Sequence, residues 1–127
     1  MDAAQTPLVR SLVPFVHVAS VPASIDFYRK LGFEVRNTFV PAGESEPVWA
    51  WLESDRARLM VGRADGPFDA DQQAVLFYLY CDDVQAARGE FERAGITVGE
   101  ITYPFYCPRG EFRMHDPDGY VLMVGHT

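Results

Sequence analysis

Leu59-Met60-Val61-Gly62 recurs letter for letter as Leu122-Met123-Val124-Gly125, 63 positions later in a chain of 127 residues. The same shift aligns Ala23 with Ala86, Leu31 with Ala94, Gly32 with Gly95, Val35 with Val98 and Asp55 with Asp118. It also lays Val13, Phe15 and His17 on Leu76, Tyr78 and Tyr80. Self-similarity at fixed spacing marks a unit that cannot bury its apolar face alone and therefore occurs in packed copies. Here one unit of roughly half the chain occurs twice. Partnered half-domains leave a seam or cup between them, and such concavities are where small ligands are held.

Working outward, Leu12 to Val18 alternates Val13, Phe15 and His17 with Leu12, Val16 and Val18, the period of a strand. Ser20 then offers a cap hydroxyl and Pro22 a first-turn proline. Ile25, Tyr28 and Leu31 follow at helical spacing, with Gly32 as the stop. Strands are expected over 33–40, 48–53 and 58–62. The second unit repeats the order, with a strand over 75–81, Asp83 as helix cap, and the stripe Val84, Ala87, Phe91, Ala94 ending at Gly95. Strands over 96–101, 111–115 and 120–124 complete it, the last two joined by the turn Asp116-Pro117-Asp118-Gly119. The pattern predicts an α+β fold of two βαβββ repeats, forming a curved mixed-sheet cup with the helices on its outer face. A single domain over 1–127 is expected, with repeat one at about 8–63, a Gly-, Pro- and Asp-rich linker at about 64–73 and repeat two at about 74–127.

The bulk composition narrows the function. A net charge of −7 repels nucleic acid and anionic membranes and would concentrate cationic small molecules, although it also simply maintains solubility. Cys81 and Cys107 are too few for a disulfide framework, which points to a reducing cytoplasm. No long apolar run suggests a membrane span, and the first residues lack the features of an export signal.

Ser24-Ile25-Asp26-Phe27-Tyr28 closing with Leu31-Gly32-Phe33, Asp82-Asp83-Val84, and Asp116-Pro117-Asp118-Gly119-Tyr120 are motifs spread over nearly the whole chain. In this order they resemble the "FY…LGF" and "DPDGY" signatures of the glyoxalase, bleomycin-resistance and extradiol-dioxygenase superfamily, the vicinal oxygen chelate fold. In metal-using members, the resemblance places ligands at positions that fall here on Val13, Leu76 and Met123. None is a donor for Mg, Mn, Fe or Zn. The resemblance therefore implies a member without metal or other cofactor. His17, His115, His126, Glu111 and Glu100 remain as scattered polar candidates, with no recognised ligand spacing and His126 expected to fray.

If Val13, Leu76 and Met123 occupy the old metal-facing positions, alternation turns Phe15, His17, Tyr78, Tyr80 and Met60 toward the same cup. Val48, Ala50 and Leu52 make a core face, which leaves Trp49 and Trp51 in the cup. By the same duplication Phe112 and Met114 face inward. A bulge at the turn would present Arg113 and His115 instead. The loop Tyr103-Pro104-Phe105-Tyr106-Cys107-Pro108-Arg109-Gly110-Glu111-Phe112 resembles an aromatic, glycine-containing stretch near the groove of antibiotic-binding members, with Gly110 inserted between Arg109 and Glu111. The candidate binding set is thus Phe15, His17, Trp49, Trp51, Met60, Tyr78, Tyr80, Tyr106, Arg109, Phe112 and Met123.

Such a lining stacks flat or apolar groups and adds about 0.5–2 kcal/mol for a cation over each aromatic face. The leading expectation is a metal-free binding protein for an aromatic or cationic small molecule, an antibiotic among the possibilities, and the resemblance implies a homodimer whose clefts form between chains. The competing expectations are a metal-dependent glyoxalase-like lyase, isomerase or ring-cleaving dioxygenase, and an interaction module whose cup is filled by its own side chains.

Overall fold

The computed structural model describes residues 8–72 and 74–126. The first unit contains β1 (Phe15–Val18), α1 (Val21–Lys30), β2 (Glu34–Phe39), β3 (Trp49–Ser54) and β4 (Ala57–Arg63). The second contains β5 (Phe77–Cys81), α2 (Val84–Arg93), β6 (Glu111–His115) and β7 (Val121–His126), and a short 3-10 turn, Ala70–Gln72, precedes it. Both helices start where local chemistry dictates. Ser20 Oγ accepts the Ala23 amide at 3.2 Å, and Asp83 Oδ1 accepts those of Gln85 and Ala86 at 3.1 and 3.0 Å. Both end at a glycine with positive φ, Gly32 at 101° and Gly95 at 89°.

The strands form two mixed sheets, in the orders β1-β4-β3-β2 and β5-β7-β6. In each, the strand before the helix runs parallel to the last strand of its unit, and that last strand is antiparallel to its hairpin partner. The duplication is therefore visible in topology as well as in letters. One expected strand is absent as an element. Residues 96–101 make only isolated bridges, Val98 with Met114 and Thr102 with Glu111. Between those bridges the inner segment carries one residue more than β6, which breaks the ladder. The Gly99 carbonyl there accepts the Arg88 Nε at 2.7 Å.

Val16, Val18, Ala50, Leu52, Leu59 and Val61 are buried beneath α1, whose Val21, Ile25, Phe27 and Tyr28 complete that half of the core. Each such side chain contributes on the order of 1.5–3 kcal/mol of transfer free energy. In the second unit Phe112, Met114, Leu122 and Val124 lie under α2, which buries Val84 fully and Phe91 partly. Polar contacts join the units. Tyr28 donates its hydroxyl to buried Asp116 Oδ2 at 2.9 Å, Ala19 donates its amide to Asp118 Oδ1 at 2.9 Å, and Tyr120 donates its hydroxyl to the His17 carbonyl at 2.7 Å. The Asp-Pro-Asp-Gly-Tyr turn is thus a clasp between repeats. Burial and the Asp116 carboxyl push the Tyr28 phenol above its ordinary range, and burial likewise raises Asp116.

Candidate ligand-binding site

Strand register decides which side chains share the face turned away from the helices. In the first sheet Phe15, Met60, Trp51 and Asn37 lie in one row across the strands. His17, Gly62, Trp49 and Phe39 form the next. In the second sheet the corresponding rows are Tyr78, Met123 and Arg113, then Tyr80, Gly125 and Glu111. Phe15, His17, Tyr78 and Tyr80 are exposed, as expected of a lining facing away from the core. Trp49, Trp51 and Met60 are half-buried on the first sheet, and the Trp51 indole donates to Glu53 Oε2 at 2.9 Å. Met123 is buried between its register partners.

Phe112 does not belong to this face. It is 1% exposed and packs against Phe91 of α2, ring centroids 6.3 Å apart, with Met114 buried beside it in the core. Arg113 and His115 take the opposite, exposed face instead. The cause is the turn. His115 pairs with Val121, so residues 116–120 all lie in the loop. Asp116 Oδ1 accepts the amides of Asp118 and Tyr120, each at 2.9 Å, which keeps Tyr120 out of the ladder. One residue of register exchanges the two faces of a strand.

Tyr78, Tyr80, Tyr106 and Arg109 come together around one cavity of about 220 Å³, with Cys107, Pro108, Glu111, Gly125 and His126. The Tyr78 and Tyr80 rings are stacked, 23° from parallel with centroids 6.2 Å apart. Tyr106 donates its hydroxyl to Glu111 Oε2 at 3.0 Å, and this bond, with a lesser contribution from Tyr78, pushes its phenol up to about 12. His126 does not fray but pairs with Cys81 at the end of β7. Phe15 and His17, in edge-to-face contact at 5.4 Å, line a second cavity of about 200 Å³ with Pro14, Val75, Phe77 and Tyr120. Trp49, Trp51 and Met60 line neither of these two cavities, although they share a sheet face with Phe15 and His17.

Glu111 is the residue that sequence reasoning placed among scattered metal candidates rather than in the cup. It stands two positions before Arg113, so the signal that would have found it is the same one-residue turn extension. The chelating positions of the family do not fit a metal here. Val13 and Leu76 lie just before β1 and β5 and Met123 lies in β7, and none carries an oxygen or nitrogen donor. Among the described residues no three His, Cys, Asp or Glu side chains are grouped closely enough to hold an ion.

Two units of parallel-antiparallel strands, each backed by one helix and presenting an aromatic face, define a duplicated cup-forming α+β protein. Residues 12–124 match the model of the Glyoxalase/Bleomycin resistance protein/Dioxygenase superfamily, and the chain belongs to that family. Its fold is similar to that of a bleomycin-binding protein complexed with bleomycin, at 19% identity and a TM-score of 0.72 over 94% of this chain and 99% of that one. The bleomycin-binding protein of bleomycin-producing Streptomyces verticillus, complexed with copper(II)-bleomycin, is 20% identical with a TM-score of 0.72 over 97% and 99% of the two chains. TnmS3, an antibiotic binding protein from Streptomyces sp. CB03234, is 19% identical with a TM-score of 0.72 over 96% and 98%. No curated protein matches the sequence. No helix among the described residues is long and apolar enough to cross a membrane.

Proposed function

We propose that this protein binds an aromatic or cationic small molecule without a metal cofactor, with antibiotics of the kind its structural neighbours hold as the first class to test. The observation that carries the reading is the exposed aromatic face that each sheet turns away from its helix. Phe15 is 48% and its equivalent Tyr78 42% exposed, while the family's chelating positions hold Val13, Leu76 and Met123. Core strands bury such rings, and a chain that leaves them open retains stacking surface for a guest.

Residues 1–127 act in this reading as one domain, with units at about 8–63 and 74–127 joined at about 64–73. A homodimer is part of the proposal, because exposed Phe15, Phe39, Tyr78, Tyr80 and Phe105 are the kind of surface a second copy covers, enclosing a cleft that one chain leaves open. The setting is a reducing cytoplasm, in line with Cys81 and Cys107, which form no disulfide among the described residues.

The test is a thermal-unfolding screen in chelator-treated buffer against bleomycin and a panel of planar aromatic cations. A ligand at a hundredfold excess over Kd is expected to stabilise by about 2.7 kcal/mol, and Tyr80→Ala to abolish the gain. No stabilisation by any compound, or stabilisation that returns only with added divalent metal, would overturn the reading. Metal analysis of the purified protein accompanies the screen, and stoichiometric Mn, Fe, Ni or Zn would favour an enzyme instead.

A further inference from the structure

We infer that Glu111 is an anchoring site for a planar nitrogen cation of the amidinium or guanidinium class, held in the cavity of the second unit against Tyr78 and Tyr80. The inference rests on the small-molecule reading above and names the part of the ligand that this half of the cup recognises.

Glu111 is 4% exposed, and its two oxygens are treated differently. Oε2 accepts the Tyr106 hydroxyl at 3.0 Å, whereas Oε1 is buried without a hydrogen-bond partner among the described residues. A carboxylate oxygen withdrawn from water and left unpaired carries a desolvation cost that a donor from outside would remove. Glu111 itself lines the cavity of about 220 Å³, so a ligand seated there lies beside this carboxylate. Arg109 and His126 line the same cavity and are engaged in interactions of their own.

The remaining walls suit a flat cation. The stacked Tyr78 and Tyr80 rings offer π faces, to which a delocalised cation is drawn more strongly than to aliphatic walls. An amidinium also matches a carboxylate edge with parallel N–H donors. Gly125, in register with both Tyr80 and Glu111, removes a side chain from the floor. In the first unit the ring of Phe15 covers the equivalent Gly62. The duplicated halves are thus unequal, and the acidic anchor belongs to the second alone.

The experiment is an NMR titration of the full chain with benzamidinium and with its neutral near-isostere benzamide, read at the backbone amides of Tyr80, Glu111 and Gly125. The wild type is expected to bind benzamidinium at least about tenfold more tightly than benzamide. Glu111→Gln, which can still accept from Tyr106, should weaken benzamidinium about tenfold or more and leave benzamide within about twofold. Gly125→Ala is the second variant. Its methyl would sit 3.6 Å from Cys107 Sγ and from Tyr80 Cε1, an ordinary contact that permits folding while filling the floor, and it should weaken both probes. Equal affinity for the two probes, undiminished benzamidinium binding in Glu111→Gln, or absence of shifts at these amides would overturn the inference. The drug screen decides the parent reading separately, since stabilisation by a ligand that Glu111→Gln leaves intact keeps the binding protein and removes only its cation anchor.

Discussion

Gly62 and Gly125 hold the same place in the two copies of Leu-Met-Val-Gly, yet an alanine at each meets different surroundings. A Cβ on Gly62 would collide with Phe15 Cζ and lie 2.9 Å from Cε1, well inside the approach distance of carbon atoms. Strand β4 is held by β1 on one side and β3 on the other, so the ring rather than the backbone has to move. Phe15 is half exposed and can swing outward, losing its preferred rotamer and its packing at a cost of about 1–2 kcal/mol. Relief of the glycine's chain entropy returns about 0.5–1 kcal/mol. Gly62→Ala is therefore expected to destabilise by up to about 1.5 kcal/mol. At Gly125 the nearest atoms stand at 3.6 Å, so only the entropic gain remains and Gly125→Ala should stabilise by about 0.4–1 kcal/mol. For a domain of this size the unfolding midpoints should differ by roughly 2–10 °C. Calorimetry of both variants at one protein concentration measures the difference. A Gly62→Ala midpoint equal to or above that of Gly125→Ala would refute the ring-over-glycine contact and the inequality of the two halves built on it.

Tyr28→Phe removes the donor to buried Asp116 and should cost about 1.5–3 kcal/mol near neutral pH, measured by urea unfolding. Asp116 is raised in the folded state by burial, so its contribution to stability is present below the unfolded pKa and lost as pH rises through the folded one. Losing the Tyr28 hydroxyl raises it further, and the deficit of the variant should shrink as the solution is acidified from about pH 7 to about pH 4, while a constant deficit would count against the pairing. Ser24 Oγ is buried without a hydrogen-bond partner among the described residues, so Ser24→Ala should stabilise by about 0.5–1 kcal/mol, and a loss of stability would show the hydroxyl to be satisfied. Trp49 and Trp51 are the chain's two tryptophans and both lie on the cup side of the first sheet, so a ligand spanning both halves should change their emission. A ligand that raises the midpoint but leaves that emission unchanged engages the second unit alone.

Most of the fold is legible along the chain because its determinants are local. Ser20 and Asp83 cap the helices with atoms two or three residues away, Gly32 and Gly95 end them, and alternation along β1 and β5 separates the core face from the exposed one. The missing donors at Val13, Leu76 and Met123 are equally plain in the letters. The strand expected over 96–101 fails for a reason no local pattern carries. Its pairing depends on a bulge against β6 and on the Arg88 side chain reaching the Gly99 carbonyl.

The duplication, the helices and the identity of the inward faces in the first unit are thus properties of the sequence itself, since each depends on residues within a turn or two of one another. The lining of the second half-cup is not. It hangs on whether the turn between β6 and β7 holds four residues or five, and Asp116, grasped by Tyr28 from 88 positions earlier, keeps Tyr120 in the loop. That single added residue sends Phe112 beneath α2 and brings Glu111 and Arg113 to the cup. A period of two tells which residues travel together. Only tertiary contacts decide which way they face.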